Sequence, residues 1–262
     1  DIDKYILTFE RIREGISLFD KIKAAILSKR SASKILSHFS EGAVRKSHDP
    51  ALLLFTSGTE SLPKGVPLSH NNILSNFRSV REFPLTHEDC CFSFLPPFHS
   101  FGCCVTSLYP LLVGLKVVHS PDPTDSTTLA REIERWGITF ICSAPSFHKT
   151  LLQAATPKQL ETARLFVTGA EKAPKDLFKK VASLGGDKHL IEAYGITECA
   201  PALTMNLPNE KNKGVGRPLK GVEIIIVHPD TQKPLPQGSD GLILAHGDNI
   251  FSGYLGYQTK SP

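Results

Sequence analysis

The sequence predicts an α/β protein with a mostly parallel sheet flanked by helices. Two observations carry this prediction. From residue 90 to residue 195, short β-branched or aromatic runs alternate with amphipathic helical patterns, which is typical of successive β-α units. From Gly221 onward this alternation stops, and two β-rich runs separated by a turn-rich loop predict a small antiparallel subdomain at the C-terminal end.

Residues 1–46 predict helix, because Leu18, Ile22 and Ile26 recur four residues apart with basic side chains between and beyond them. The pattern fits a connector that packs its apolar stripe on the domain. It also fits a contact with an anionic membrane surface or a carrier protein. This segment holds ten basic and six acidic residues, a balance of +4 that equals the net charge of the whole chain.

The other elements follow from periodicity and from flanking Pro, Gly and Ser residues. Predicted strands cover 51–55, 90–95, 116–119, 138–144, 164–168, 189–193, 222–227 and 241–245. One predicted helix has Ser69 as its N-cap and runs to Val80. A buried helix, bent by Pro110, is predicted over 101–113. Further helices are predicted around the face formed by Leu129, Ile133 and Trp136, over 146–155, and from Pro174, with Leu177, Val181 and Leu184 facing inward. Ligands of such sheets bind at the carboxyl ends of the strands, where the site is expected.

A loop rich in hydroxyl side chains and glycine follows the first predicted strand and ends in Pro63, Lys64 and Gly65. Its backbone N–H groups suit phosphate oxygens, and Lys64 adds a positive charge. Gly58 and Lys64 have the spacing of a Walker A loop. However, Pro63 and Gly65 replace the second glycine and the metal-binding hydroxyl, which excludes that motif. Taken alone, the segment also fits a flexible surface loop.

Three further motifs follow in order. They are the segment 94–102 around His99, then Thr168, Gly169, Ala170 and Glu171, then Tyr194, Gly195, Ile196, Thr197 and Glu198. Together with the loop they resemble the adenylate-forming (AMP-binding) superfamily of acyl-CoA synthetases, luciferases and peptide-synthetase adenylation domains. The sequence Phe-Thr-Ser-Gly-Thr-Glu, with a later Thr-Glu-Cys-Ala-Pro, is most similar to the acyl–acyl-carrier-protein synthetase branch. That branch includes enzymes fused to a 2-acylglycerophosphoethanolamine acyltransferase.

The resemblance implies the large N-terminal domain of that superfamily. Residues 1–46 would form a basic helical connector, residues 47–215 the AMP-binding α/β core, and residues 216–262 part of a small β-barrel-like subdomain. The chain stops before the superfamily's ribose-binding Asp and its C-terminal lid domain with the catalytic Lys. We therefore expect a segment of a longer protein that turns over poorly by itself.

The implied activity is ATP-dependent activation of a fatty acid through an acyl-adenylate, with transfer of the acyl group to the thiol of acyl carrier protein and a link to phospholipid acyl recycling. A long-chain fatty acid–CoA ligase, with CoA as acceptor, shares every motif and stays open. A non-catalytic nucleotide-binding fragment or scaffold is the alternative of another class. The implied cofactors are ATP and Mg²⁺.

Each motif then has an implied role. ATP phosphates would be held by Thr56, Ser57, Gly58, Thr59 and Lys64, with Glu60 in the same loop. Gly169, Ala170 and Glu171 would line the adenine pocket, and Tyr194, followed by Gly195, would stack on the base. Thr197 would bind the α-phosphate, Glu198 would ligate Mg²⁺, and His99 would border the acyl and phosphate sites or serve as a structural histidine. The neighbouring Phe92, Phe94, Leu95, Phe98 and Phe101 fit an acyl tunnel and an ordinary core equally well.

Glu60 and Ser61 depart from the superfamily loop, where a small hydroxyl residue and a glycine are usual, and the carrier-protein branch shares the Glu. The six cysteines contain no CxxC pair, which favours reduced thiols in a cytoplasmic protein, with peripheral contact at the inner face of the membrane through the basic segment. No apolar run is long enough to cross a bilayer. Nucleic acid is not expected as a partner, because charge is balanced beyond residue 46.

Overall fold

The computed structural model describes residues 13–31, 34–35, 46–56, 63–81, 83–208, 210 and 214–256. The chain divides into two compact units, Asp1–Lys46 and Ser47–Pro262. In the first unit, helix α1 spans Leu18–Leu27, and the Ser17 side chain caps it by accepting the Asp20 N–H. Leu18, Phe19, Ile22 and Ile26 of α1 are exposed. Whether they meet a membrane, a carrier protein or the folded core stays a prediction.

The second unit opens with an antiparallel hairpin of strands β1 (Pro50–Phe55) and β2 (Gly65–Ser69). Helix α2 (His70–Ser79) follows, and Ser69 caps it by accepting the Asn72 N–H, as predicted. The strand before the phosphate loop was predicted as part of the series of strands that form the parallel sheet, which is wrong, because β1 and β2 form a separate two-stranded sheet. Pro67, which has no N–H to donate, obscured β2 in the sequence pattern.

A seven-stranded sheet lies at the centre of this unit. Its strands are β3 (Cys90–Ser93), β4 (Lys116–His119), β5 (Phe140–Ser143), β6 (Leu165–Thr168), β7 (His189–Gly195), β8 (Ala202–Met205) and β9 (Arg217–Pro218). They are ordered β4-β3-β5-β6-β7-β8-β9; the first five are parallel, and β8 and β9 continue antiparallel. The prediction of a mostly parallel sheet is confirmed, whereas the short β8 and β9 were not predicted.

Helices connect the parallel strands. They are α3 (Tyr109–Val113), α4 (Ser126–Trp136), α5 (Pro145–Ala154) and α6 (Lys175–Ala182). The single buried helix expected over 101–113 is instead a π-helix, Phe101–Leu108, that continues into α3. The expected burial also fails at its end, where Leu111, Leu112 and Val113 are exposed. The wider turn is satisfied locally, since the Gly102 carbonyl accepts the hydroxyls of Thr106 and Ser107.

The core on one face of the sheet is built by the helical stripes that the sequence predicts. Leu129 and Ile133 of α4 and Leu177 and Val181 of α6 are buried in it, whereas Trp136 at the end of α4 is half exposed. Phe92, Phe94 and Leu95 belong to the same cluster. These three therefore serve as core, and they are not among the residues that line the cavity described below.

After β9, strands β10 (Val222–Val227) and β11 (Leu242–Gly247) pair antiparallel, as predicted for the C-terminal subdomain. All six cysteines carry free thiols, and five of them are buried. Among the described residues, no helix is both long enough and apolar enough to cross a membrane.

His148 of α5 gives the fold a defined pH dependence. It is fully buried, with Nε2 3.0 Å from the Val167 carbonyl oxygen, and burial lowers its pKa from 6.5 to about 4. Between these values the unfolded chain binds a proton that the folded chain does not, so stability decreases as pH falls. We expect this residue to cost about 2 kcal/mol between pH 6.5 and pH 5.

Denaturant unfolding measured across this pH range tests the prediction. The variant His148→Gln keeps an amide that can donate to the Val167 carbonyl and does not titrate. Between pH 6.5 and pH 5 the free energy of unfolding of this variant should decrease by about 2 kcal/mol less than that of the wild type. Superimposable pH profiles for the two proteins would show that His148 is not the cause.

Candidate active site

A cavity of about 540 Å³ opens where the end of β1, the segment before the π-helix and the carboxyl ends of β6 and β7 meet. Most of the predicted site residues line it. They are Thr56, His99, Gly169, Ala170, Tyr194, Gly195, Thr197 and Glu198. Segments far apart in sequence thus converge on one space, at the strand ends where ligands of parallel sheets bind.

The hairpin brings Thr56 and Lys64 together across the phosphate loop. The Thr56 N–H donates to the Lys64 carbonyl oxygen at 3.1 Å, and the Lys64 N–H donates to Thr56 Oγ1 at 3.3 Å. Ser57, Gly58, Thr59 and Glu60 lie outside the described residues. Their contacts with phosphate stay predictions.

The predicted adenine segment follows β6. Gly169 and Ala170 line the cavity, whereas Glu171 is exposed outside it and accepts a hydrogen bond from Ser146 Oγ at 3.2 Å. A buried carboxylate supports this segment from the next strand, because Glu192 Oε1 accepts the Ala173 N–H at 2.9 Å. Sequence reasoning missed Glu192, since it lies inside a predicted strand and belongs to no motif.

Two hydroxyls meet on the wall formed by the π-helix segment and the turn after β7. Ser100 Oγ is 3.2 Å from Thr197 Oγ1, and Ser100 is buried. Beside it, the Phe101 N–H donates to His99 Nδ1 at 3.2 Å. Desolvation lowers the pKa of His99 below its ordinary value, which keeps the imidazole neutral at pH 7. The sequence predicted Thr197 and His99 but not Ser100, which orients Thr197.

Glu198 is held by a segment that follows β11. Its Oε1 accepts the Tyr254 hydroxyl at 2.7 Å, and its carbonyl oxygen accepts the Phe251 N–H at 2.9 Å. The Lys64 ammonium lies over the Tyr254 ring, 5.0 Å from the ring centroid, although Lys64 is not among the residues that line the cavity. Burial, followed by the hydrogen bond to Glu198, raises the pKa of Tyr254 to about 12. Nothing in the sequence pattern pointed to Tyr254.

The arrangement around Glu198 fits Mg²⁺ held jointly with a nucleotide. Mg²⁺ is usually bound through one or two carboxylates together with substrate phosphates. Glu198 supplies one carboxylate at the cavity wall, next to the Thr197 hydroxyl. Within the described ranges, no cluster of three or more His, Cys, Asp or Glu side chains could form an all-protein metal site.

The rest of the cavity wall is largely apolar. It includes Phe77, Val80, Phe83, Val105, Phe140 and Met205, together with Phe98 and Phe101. Of the five residues considered for an acyl tunnel, Phe98 and Phe101 therefore line the cavity. The other three, Phe92, Phe94 and Leu95, are core residues, which is the alternative that the sequence left equally open.

The fold and the cavity together define an α/β protein with a cavity at the carboxyl ends of its parallel strands. The chain belongs to the AMP-binding enzyme family, whose sequence profile matches residues 10–255. This result confirms the family that the motifs indicated.

Individual relatives agree with this assignment. The medium-chain fatty-acid–CoA ligase of Escherichia coli (strain K12) is 34% identical over 211 residues, which cover 78% of this chain and 37% of that protein. A long-chain-fatty-acid–CoA ligase of Yersinia pestis is 29% identical over 79% of this chain and 38% of its own length. The ATP-bound crystal structure of MatB from Rhodopseudomonas palustris superimposes with a TM-score of 0.73 at 29% identity, covering 84% of this chain and 45% of that chain. The chain thus spans less than half the length of each.

Proposed function

We propose that the protein to which this chain belongs is an ATP-dependent acid–thiol ligase that activates a fatty acid through an acyl-adenylate. One observation carries the proposal. One cavity is lined both by polar side chains, among them Thr56, Thr197 and Glu198, and by many apolar ones. The polar side chains suit the phosphates of ATP, and the apolar ones suit an alkyl chain. The names of the two fatty-acid–CoA ligases above support this substrate class.

In the first step, a carboxylate oxygen attacks the α-phosphorus of ATP, and pyrophosphate leaves. Negative charge increases on the phosphoryl oxygens, so the contribution of the protein is positioning and electrostatic stabilisation. We assign Thr197 to the α-phosphate, and Thr56 and Lys64, with the loop between them, to the β- and γ-phosphates. Mg²⁺, when bound through Glu198, would supply positive charge next to these oxygens.

The adenine is assigned to the wall formed by Gly169, Ala170 and Tyr194, where small residues leave room for a flat base. His99 lies on the cavity wall between Phe98 and Ser100, which also line the cavity. As a neutral imidazole it can donate a hydrogen bond that orients the fatty acid carboxylate without forming a fixed ion pair.

In the second step, a thiol attacks the acyl carbonyl and AMP leaves. CoA is the acceptor that the names of both curated relatives favour. Acyl carrier protein is the second candidate, because the sequence of the phosphate loop resembles that of the carrier-protein branch. A role in phospholipid acyl recycling belongs to that second candidate.

The test uses the full-length protein with ATP, Mg²⁺ and saturated fatty acids of increasing length, with either CoA or acyl carrier protein as acceptor. We expect carboxylate-dependent ATP–pyrophosphate exchange without acceptor, and acyl-thioester with one of the two acceptors. Product mass identifies which acceptor is used. Binding of ATP without exchange for any fatty acid would instead support a nucleotide-binding scaffold.

A further inference from the structure

Tyr254 contacts two of the proposed site residues, Glu198 and Lys64. Its hydroxyl donates to Glu198 Oε1 at 2.7 Å, and its ring lies under the Lys64 ammonium, 5.0 Å from Nζ to the centroid. Tyr254 is not among the residues that line the cavity. It therefore contacts Glu198 and Lys64 without itself being part of the cavity wall.

The backbone around Tyr254 is fixed at both sides. The Phe251 N–H donates to the Glu198 carbonyl oxygen at 2.9 Å, and the Leu255 N–H donates to the Gly65 carbonyl oxygen at 2.8 Å. The ring packs edge-on against buried Phe251, with centroids 4.9 Å apart. A segment tied to the turn after β7 and to the start of β2 thus determines the place of Tyr254.

The hydroxyl and the ring of Tyr254 restrain Glu198 and Lys64 in different ways. A carboxylate can only accept hydrogen bonds, so the Tyr254 hydroxyl must donate to Glu198 and restrains its Oε1. Among the described residues, none donates a hydrogen bond to Glu198 Oε2. The aromatic face attracts the Lys64 ammonium, and this attraction restricts a side chain that otherwise rotates freely.

We propose that Tyr254 is a positioning residue that holds Glu198 so that Oε2 is available to Mg²⁺, and that holds Lys64 near the phosphates of ATP. The inference rests on the proposed function, in which Glu198 ligates the metal. Losing a partner that orients a metal ligand typically weakens metal binding by about 10–100-fold.

The experiment separates the hydroxyl of Tyr254 from its ring. The dissociation constant of ATP is measured by calorimetry on the full-length protein, once with MgCl₂ and once with EDTA. The variant Y254F lacks the hydroxyl and keeps a ring under Lys64. We expect its dissociation constant for ATP to increase about tenfold with MgCl₂ and to stay unchanged with EDTA.

Y254L lacks both the hydroxyl and the ring. It should bind ATP about threefold more weakly than Y254F both with EDTA and with MgCl₂, because Lys64 loses the aromatic face. The ratio of its dissociation constants with MgCl₂ and with EDTA should be changed as in Y254F, and this ratio gives a second measure of the role of the hydroxyl. In an E198Q background, Y254F should produce no further loss that depends on Mg²⁺, since the charged ligand is already absent.

Equal weakening of ATP binding by Y254F with and without Mg²⁺ would show a general structural effect and overturn the proposal. So would unchanged binding in both conditions. Failure of the proposed function is distinct from either result, because the wild-type protein would then show no ATP binding, or no exchange, before any substitution is made.

Discussion

Replacing Glu198 with Gln is expected to lower the rate of acyl-adenylate formation by about 10²–10³-fold, the range for removing one group that stabilises transition-state charge. The substitution keeps the size of the side chain and its oxygen acceptor for Tyr254, but removes the charge assigned to Mg²⁺. The measurement is carboxylate-dependent ATP–pyrophosphate exchange by the full-length protein.

Glu223→Gln is the matched control, because this substitution removes the same charge at an exposed position of β10. Its exchange rate should equal that of the wild type. If E198Q and E223Q both retain the wild-type rate, Glu198 does not hold the metal, and the assignment of Glu198 to the ATP site is wrong.

Gly195→Ala is expected to destabilise the protein by about 3 kcal/mol or more and to abolish ATP binding. A Cβ on Gly195 would lie 2.9 Å from Ala202 Cα and nearer still to the Pro201 carbonyl oxygen. Both obstacles are backbone atoms, so β7 and β8 would have to separate at their junction. That movement displaces Tyr194 directly before Gly195 and Thr197 two residues after it, and both line the cavity.

Denaturant unfolding and ATP binding measure the two effects of G195A. Gly15→Ala is the control, since a Cβ there meets nothing within 4 Å, and we expect it to change neither quantity. Wild-type stability of G195A would mean that the two strands can separate at low cost. Wild-type ATP binding by G195A would show that this close approach does not shape the site.

Much of the fold was predictable because its signals are local. The stripes of Leu129 and Ile133, and of Leu177 and Val181, gave α4 and α6 their buried faces. The Ser69 cap marked the start of α2. These features depend on residues within one or two turns of each other, so periodicity and capping preferences reveal them.

The features that the sequence did not predict depend on hydrogen-bond partners rather than on composition. β2 contains Pro67, and β8 and β9 are short, so their strand identity comes from partners rather than from composition. The π-helix has the same apolar content as an α-helix and differs in its hydrogen-bond register. No sequence period distinguishes the two over eight residues.

The candidate site shows the same division. Motifs identified Thr197 and Glu198 on the cavity wall, but not the side chains that orient them, Ser100 and Tyr254. Ser100 precedes Thr197 by 97 positions, and Tyr254 follows Glu198 by 56. Such partners become visible once the backbone segments are placed, because one hydrogen bond leaves no repeating pattern in a sequence.

The π-helix has a consequence for insertions and deletions in this protein. Phe101 and Val105 within it, and Tyr109 directly after it, all face the cavity. An α-helix turns by about 100° per residue, so deleting one residue between Phe101 and Tyr109 would rotate the side chains on one side of the deletion away from the cavity. The number of residues in this stretch, as much as their identity, therefore sets the outline of the cavity.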